Sequence, residues 1–521
     1  RLPAEMRVGR SGQAVVLALS LMAGACSAAG GPRGAGPTSP ASTATTAAAG
    51  GTTVASSGAA GGTVDWRPCS GGAGPAKYQC ATIQVPRDPR HPGTGGTVGL
   101  ALDRHPASGA RIGSLLVNPG GPGASGVDFL PQVVGFLPKS VLKRFDVVGF
   151  DPPGVGRSAP VTCLDGPGLD RYFHSDPDPQ TPAVLDQVVA EDRTFAQGCL
   201  AHSGAELPYV STVDAAMDMD YIRRAVGDTR LNYFGFSYGT LLGATYAGLY
   251  PTRIRAMVLD GAIDPSLPVV RSLDDQSAAF DADLRAALGA CRSDPSCPWK
   301  PSGDPVAAFE QLVGQVRVHP LPAKGTTRTV GPAELLYGTA ATLYSTPSWP
   351  DLYDALAQIQ RGNGTGMLAL FDYYTGRNRD GSFSNEFEAN AAVNCLDAAA
   401  PPIATIQSGI PAARSLAPVF GAADLYSELG CDVWPVPATG SPGPIRAAGS
   451  PPIVVVGSTG DPATPYAEAQ ALAGQLAQGV LLTRVGNGHT GYAFSQCIRN
   501  YVDAYLLDLT VPPAGVRCQS D

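Results

Sequence analysis

The chain has 521 residues, of which 44% are hydrophobic, and it carries a formal net charge of −8. This length and apolar content predict one large catalytic domain with an inserted second unit. The negative charge and the lack of a basic cluster argue against a nucleic-acid partner.

The N-terminal segment has the composition of an export signal followed by a flexible tether. Within residues 1–26, arginines precede a short apolar run at 14–25, which fits a signal peptide better than a membrane-spanning helix. Small residues then lead to Cys26, as in a bacterial lipobox, so we expect a lipid anchor there. Residues 27–62 are nearly all Ala, Gly, Ser, Thr and Pro and cannot bury enough apolar surface to fold. We therefore expect a secreted protein on the outer face of the cytoplasmic membrane, which contacts the membrane only through Cys26; the alternative is a leader that acts only as a spacer.

Strand and helix patterns alternate over residues 63–265. The predicted strands are 80–85, 98–102, 114–117, 145–150, 231–234 and 256–259. A helix is predicted over 212–226, after a Ser/Thr cap and before Gly227. This alternation is typical of an α/β fold with a mostly parallel central sheet and helices on both faces.

A glycine-rich turn follows the predicted strand 114–117. Residues 118–123 read Asn-Pro-Gly-Gly-Pro-Gly. A glycine pair after an early strand is the usual place for one N–H donor of an oxyanion hole, and the residue after the nucleophile supplies the other. We predict that Gly121 and Tyr238 are these donors, with Gly120 as the alternative to Gly121.

Residues 235–239 read Gly-Phe-Ser-Tyr-Gly, a G-x-S-x-G sequence between the strand 231–234 and a helical pattern over 240–247. In a nucleophile elbow the serine sits on a strained turn, and the glycines let strand and helix cross closely. We predict that Ser237 is a nucleophile. The alternative is a glycine-rich turn without chemistry, because the pentapeptide is common by chance.

The strand and helix alternation stops between residues 266 and 450. Helical patterns such as 276–288 and 333–343 dominate there, and the sheet pattern resumes over 451–521. An insertion at this point of the chain predicts a largely helical lid above the carboxyl ends of the strands.

A serine nucleophile needs a carboxylate and a histidine base, which follow it in this order in α/β-hydrolases. Asp461 comes directly after the apolar strand 452–457 and is the predicted acid. One alternative for Asp461 is a simple turn role, because an Asp before Pro often forms turns. The other is that Asp260, at the end of the strand 256–259, is the acid instead.

Two histidines follow Ser237 in the chain. His489 lies in a loop directly after the predicted strand 480–485, at the end of a strand where ligand-facing loops occur. His319 lies far from any C-terminal strand pattern and fits a surface position. His489 is therefore the predicted base.

The chain has 11 cysteines, and an even number remains when Cys26 is set aside, as expected for an exported, disulfide-bonded protein. Pairing neighbours along the chain gives Cys69–Cys80, Cys163–Cys199, Cys291–Cys297, Cys395–Cys431 and Cys497–Cys518, although spacing does not fix connectivity. We expect no metal site, because no Cys/His cluster has ligand spacing, and no cofactor is needed for the predicted chemistry.

Together these motifs resemble the secreted tripeptidyl aminopeptidases of actinobacteria, which are grouped with the proline-iminopeptidase-like serine peptidases. The resemblance runs from about residue 64 to the C-terminus and also includes the segments 145–158, 258–261 and 460–465. It implies an α/β-hydrolase with a lid that releases short peptides, with tripeptides as the expected product, from free N-termini. It also implies that Ser237, Asp461 and His489 occupy the triad positions.

An aminopeptidase must bind a protonated N-terminus, and a carboxylate in the lid is a direct way to do so. We predict Asp397 and Glu388 for this role; the alternative is that both acids are solvated or support the core. Two other functions stay open. An esterase or lipase acting on cell-envelope esters uses the same triad, and a non-catalytic surface binding protein can share the scaffold.

Overall fold

The computed structural model describes residues 64–69 and 78–521. The strands are β1 (Arg67–Pro68), β2 (Gln79–Pro86), β3 (Thr97–His105), β4 (Gly113–Asn118), β5 (Phe145–Phe150), β6 (Leu231–Phe236), β7 (Ile254–Asp260), β8 (Leu321–Pro322), β9 (Thr329–Val330), β10 (Ile453–Gly460), β11 (Gly479–Asn487) and β12 (Arg517–Gln519). The helices are α1 (Gly126–Phe136), α2 (Lys139–Leu142), α3 (Gly166–His174), α4 (Pro182–Ser203), α5 (Thr212–Ala225), α6 (Tyr238–Leu249), α7 (Val269–Ser293), α8 (Pro305–Val318), α9 (Pro332–Leu343), α10 (Trp349–Gln360), α11 (Thr365–Thr375), α12 (Glu386–Asp397), α13 (Ile403–Leu416), α14 (Gly421–Tyr426), α15 (Leu429–Asp432), α16 (Tyr466–Gln475) and α17 (Gln496–Asp508).

One large sheet organises the molecule. Its ten strands lie in the order β1-β2-β3-β5-β4-β6-β7-β10-β11-β12. The pairs from β1 to β5 are antiparallel, and every pair from β5 to β12 is parallel. The predicted α/β-hydrolase architecture, with a mostly parallel sheet, is confirmed.

Apolar clusters cover both faces of this sheet. In β10, Ile453 and Val455 pack into the cluster that contains the buried residues of α5, α6 and α16, whereas Val454 and Val456 pack into the cluster of α1 and α17. A strand covered on both faces needs apolar side chains at successive positions rather than alternate ones. This explains the continuous apolar run that predicts the strand.

A second, helical layer lies between β7 and β10 in the chain. Helices α7 to α15 and a small ribbon of β8 and β9 form it. Helices α3 and α4 join it, because Phe173 and Phe195 share one apolar cluster with Phe280 and Leu284 of α7. We call α3, α4 and α7 to α15 the helical layer. The segment 166–203, which the sequence pattern assigns to the first core unit, therefore packs with the inserted helices.

The structure contains the five predicted disulfides. They join Cys69–Cys80, Cys163–Cys199, Cys291–Cys297, Cys395–Cys431 and Cys497–Cys518. Among the described residues, no helix combines the length and the apolar character needed to cross a membrane. The predicted signal segment, Cys26 and the tether lie outside the described residues.

Candidate active site

The residues predicted to carry chemistry follow the carboxyl ends of neighbouring parallel strands. Ser237 comes directly after β6, Asp461 directly after β10, and His489 shortly after β11. The Gly120-Gly121 pair follows β4, which pairs directly with β6, whereas β7 lies between β6 and β10. Because parallel strands end at one edge of a sheet, the fold brings these residues to the same edge.

Ser237 has the backbone geometry of a strained turn. Its φ is 55° and its ψ is −127°, between β6 and α6. The Ser237 N–H donates to the carbonyl of Asp260 (2.9 Å), and the Ser237 carbonyl accepts from the Thr240 N–H (2.8 Å). A Cβ on Gly239 would lie 2.8 Å from the Asn118 carbonyl oxygen, so the close crossing requires glycine. Strain of this kind is stored where a side chain must be held in a fixed place, here the Ser237 hydroxyl.

The glycine-rich turn after β4 lies against this elbow. A Cβ on Gly120 would lie 2.8 Å from Ser237 Cβ and 3.1 Å from the Tyr238 nitrogen. The Gly120 N–H already donates to Asn118 Oδ1 at 3.0 Å. Gly121 is exposed, with φ 102°. The Gly120 bond favours Gly121 over Gly120 as the backbone donor that acts beside Tyr238.

Asp461 and His489 form a buried pair. His489 Nδ1 lies 2.8 Å and 3.0 Å from the two carboxylate oxygens of Asp461. An ionised carboxylate only accepts hydrogen bonds, so we assign the proton to Nδ1 and the lone pair to Nε2. His489 Nε2 is buried and lacks a hydrogen-bond partner within the described part of the chain. The imidazole therefore has the tautomer that a general base requires.

The imidazole and the elbow approach the same end of β7. A Cβ on Gly261 would lie 3.0 Å from His489 Cε1, the ring carbon next to Nε2. Gly261 directly follows Asp260, whose carbonyl accepts the Ser237 N–H. The end of β7 thus contacts both the Ser237 turn and the His489 ring.

Asp260 has a different set of partners from Asp461. Its carboxylate accepts the N–H of Gly491 at 2.7 Å and that of Tyr492 at 2.8 Å, and burial raises its pKa to about 6. The structure therefore pairs His489 with Asp461, while Asp260 supports the loop that follows the histidine. His319, the other late histidine, is exposed at the end of α8.

The two carboxylates predicted to bind the substrate amine are engaged with backbone groups. Asp397 accepts the Thr212 N–H (2.8 Å) and the Thr212 hydroxyl, whose oxygen is also 2.6 Å from the Tyr238 hydroxyl. Glu388 accepts the N–H groups of Cys163 and Leu164. Both side chains therefore fasten α12 to other parts of the molecule, which is the core-supporting alternative.

Glu386, at the start of α12, is a buried acid of another kind. The residue is 8% exposed, and its Oε1 has no hydrogen-bond partner among the described residues. Burial raises the pKa of Glu386 to about 8, and no cationic group among the described residues opposes this shift. A Cβ on Gly123 would collide with the Glu386 carbonyl, so this turn of α12 rests on the glycine-rich turn. The sequence analysis missed Glu386; its only signal was its place two residues before Glu388.

Several other buried or half-buried acids of the helical layer have raised pKa values. Burial is the main cause, and it brings the pKa to about 7 for Asp192, Asp283, Asp424 and Glu428. Unfolded carboxyls titrate near pH 4, so the folded chain binds these protons more tightly than the unfolded chain.

We expect the protein to be more stable in mild acid than at slightly alkaline pH. A folded-state pKa above the unfolded value contributes stability that is complete below about pH 4 and is lost as the pH rises through about 7 to 8. The thermal midpoint, measured by calorimetry at a series of pH values, should therefore decrease as the pH is raised from about 5 to about 8. Asp424→Asn should flatten this slope; a midpoint that rises over the same interval contradicts the expectation.

Comparison with known proteins supports the interpretation of the chain as an α/β-hydrolase of the tripeptidyl aminopeptidase type. Residues 417–518 match the model of a family described as TAP-like protein. The chain is 37% identical to serine protease Hip1 of Mycobacterium tuberculosis over 483 residues, which cover 88% of this chain and 91% of the relative. It is 36% identical to carboxylesterase B of the same species (84% and 86% covered) and 30% identical to tripeptidyl aminopeptidase of Streptomyces lividans (87% and 86% covered).

Proposed function

The chain belongs to the tripeptidyl-aminopeptidase-like family of α/β-hydrolases, and on this premise we propose that it is a serine peptidase that releases short peptides from free N-termini. The observation that carries the proposal is the buried pair of His489 and Asp461, which leaves Nε2 without a partner among the described residues, in a sheet whose strand β6 ends at the strained Ser237 turn. Relatives named as a serine protease and as a tripeptidyl aminopeptidase support the substrate class, and tripeptides are the product we expect.

In the first step of the proposed mechanism, His489 Nε2 removes the hydroxyl proton of Ser237 as the oxygen attacks the peptide carbonyl. Asp461 holds the imidazole in position and stabilises its cationic form. His489 then donates the proton to the amine, which leaves, and the N-terminal peptide stays attached to Ser237 as an ester.

Two backbone donors stabilise the negative charge that develops on the carbonyl oxygen. The N–H groups of Gly121 and Tyr238 are the proposed pair, and each donor contributes about 3 kcal/mol to the transition state. In the second step, water attacks the ester with His489 again acting as base, which releases the peptide and regenerates Ser237.

We assign recognition of the substrate amine to Glu386 rather than to Asp397 and Glu388. Glu386 has an unpartnered, buried carboxyl oxygen, whereas the other two carboxylates already accept backbone hydrogen bonds. A substrate ammonium supplies the cation that the site lacks, and the ion pair then lowers the pKa of Glu386 from about 8. Binding of a free N-terminus should therefore ionise this carboxyl.

Glu386→Gln is expected to lower kcat/KM for a tripeptidyl chromogenic amide with a free N-terminus by about 100-fold, because a buried ammonium loses a charged partner worth about 3 kcal/mol. The N-acetylated amide should change by less than about threefold, since it lacks the ammonium and the missing charge costs it little. Steady-state kinetics on both substrates measure the two effects.

The matched control is Glu388→Gln, which makes the same change on the same helix. It keeps an oxygen that can accept from the N–H groups of Cys163 and Leu164 and removes only the carboxylate charge, so it should lower the thermal midpoint slightly while leaving the preference for a free amine intact. If wild-type enzyme cleaves the free and acetylated amides equally well, the amine site does not exist.

An esterase is the second candidate, because one relative is named carboxylesterase B and the same triad hydrolyses esters. An esterase should turn over short-chain p-nitrophenyl esters faster than any peptide amide, and Glu386→Gln should leave that rate unchanged. A peptidase should instead cleave the tripeptidyl amide with a free N-terminus far faster than its acetylated form, and Glu386→Gln should remove that preference.

We further propose that the protein is exported and lipid-anchored through Cys26. The five disulfides support an oxidising compartment, and the sequence before Cys26 supports lipid attachment. Radiolabelled palmitate should be incorporated into the wild-type protein in cells, and Cys26→Ser should abolish that label.

A further inference from the structure

The loop that carries His489 is held from two sides. On the sheet side, the Arg484 guanidinium donates to the carbonyls of Asn487 (2.7 Å) and Gly488 (2.6 Å). The Gly488 N–H donates to the Gly460 carbonyl at 2.8 Å. These contacts fix the loop to β10 and β11.

The other side of this loop contacts the helical layer. The Asn487 side-chain amide donates to Asp283 Oδ1 of α7 at 2.8 Å. The His489 N–H donates to the carbonyl of Tyr344, the residue after α9, also at 2.8 Å. The Tyr344 ring meets the His489 ring edge-on, with centroids 5.5 Å apart.

These contacts come from two helices of the layer and converge on the base. Asp283 is 4% exposed, and its second oxygen, Oδ2, has no hydrogen-bond partner in the described part of the chain. Its hydrogen bond runs to Asn487, 204 residues along the chain, rather than to another residue of α7. Through this hydrogen bond, the buried Asp283 carboxyl holds the loop that carries His489.

We propose that the helical layer positions the general base, with Asp283 as a positioning residue that acts on His489 through Asn487. The inference rests on the proposed function, because it takes His489 as the base. Asp283 does not reach the reacting atoms; it fixes the backbone two residues before the histidine, while Tyr344 fixes the histidine itself. The sheet supplies the acid and the nucleophile, and the layer completes the placement of the base between them.

The effect on rate follows from the geometry that proton transfer demands. A misplacement of about 1 Å can cost about 100-fold in rate. We expect Asp283→Ala to lower kcat about 10-fold, because the Tyr344 and Arg484 contacts remain and limit the displacement. KM should stay within about twofold, since the amine site lies on another helix.

The test measures the rates of two reactions that both depend on His489 as the base. Phosphonylation of Ser237 by a fluorophosphonate needs the base but no peptide recognition, and cleavage of a tripeptidyl amide needs both. Asp283→Ala should slow both reactions by about 10-fold, and Asp283→Asn, which keeps an oxygen for Asn487, should recover most of the loss. Asn487→Ala should add little in the Asp283→Ala background, because the two residues act as one unit.

Asp281→Asn is the matched control on the same helix. Asp281 accepts the N–H groups of Val419 and Phe420 within the helical layer, so its loss should lower the thermal midpoint without slowing phosphonylation. Folded Asp283→Ala that reacts at the wild-type rate overturns the inference, and so does equal slowing by Asp281→Asn, which would indicate general loosening. Wild-type enzyme that does not react with the probe would instead refute the proposed triad itself.

Discussion

Ser237→Ala is expected to lower kcat for a tripeptidyl chromogenic amide about a million-fold, the cost of removing a serine that acts together with its base. Alanine has no oxygen to attack the carbonyl, whereas the oxyanion donors and the amine site remain. Rates should be measured with enough enzyme to detect the residual activity, beside fluorophosphonate labelling, which should disappear.

As a control, the Ser237→Ala variant should keep the fold of the wild type and its affinity for peptide. Alanine adopts the same backbone as serine, so the turn at φ 55° should keep its geometry, and the thermal midpoint should match that of the wild type. The dissociation constant for a free tripeptide, measured by calorimetry, should also be unchanged. Residual activity above about a thousandth of the wild-type kcat points to another nucleophile.

Local sequence patterns predict the elements of the fold where burial on both faces of the sheet produces a continuous run of apolar residues. The apolar run at the start of β10 and the pentapeptide after β6 each identify their element, and both occur as predicted. Short edge strands such as β1 and β12 leave no such trace, because two or three residues are too few to show a periodicity.

The place of α3 and α4 could not be predicted in this way. Their helical pattern is visible in the sequence, but a periodic apolar face does not say which surface it covers. Phe195 shares one apolar cluster with side chains of α7 and α9 that come much later in the chain, so the helix belongs to the layer only through tertiary contacts.

The same limit explains the choice among the acids of α12. Sequence shows that Glu386, Glu388 and Asp397 lie in one short segment, and any of them is chemically able to bind an ammonium. Their roles depend on partners elsewhere: Thr212 is 185 residues from Asp397, and Cys163 is 225 residues from Glu388. Only the structure reveals that, of the three, Glu386 is the one with a buried carboxyl oxygen that lacks a hydrogen-bond partner among the described residues.

Asp461→Asn is expected to lower kcat about 10,000-fold, as loss of the orienting acid does in other serine peptidases. Oδ1 of Asp461 accepts the Thr464 N–H at 2.9 Å, and Oδ2 accepts the Thr490 N–H at 3.0 Å. An amide nitrogen in either place faces a backbone donor, so the side chain cannot satisfy all of its neighbours and also accept from His489 Nδ1. The imidazole is then no longer held with Nε2 as the base, and kcat on the tripeptidyl amide reports the loss.

The Asp260→Asn variant tests whether Asp260 orients the His489 ring or only supports the loop that follows His489. Its two oxygens accept the N–H groups of Gly491 and Tyr492, so one donor should lose its partner, which costs about 1 to 3 kcal/mol of folding stability. We expect a lower thermal midpoint and a fall in kcat far smaller than that of Asp461→Asn, because the bonds between His489 and Asp461 remain. If Asp260→Asn shows the 10,000-fold loss and Asp461→Asn does not, then Asp260 is the orienting acid and the pairing seen with Asp461 is not the catalytic one.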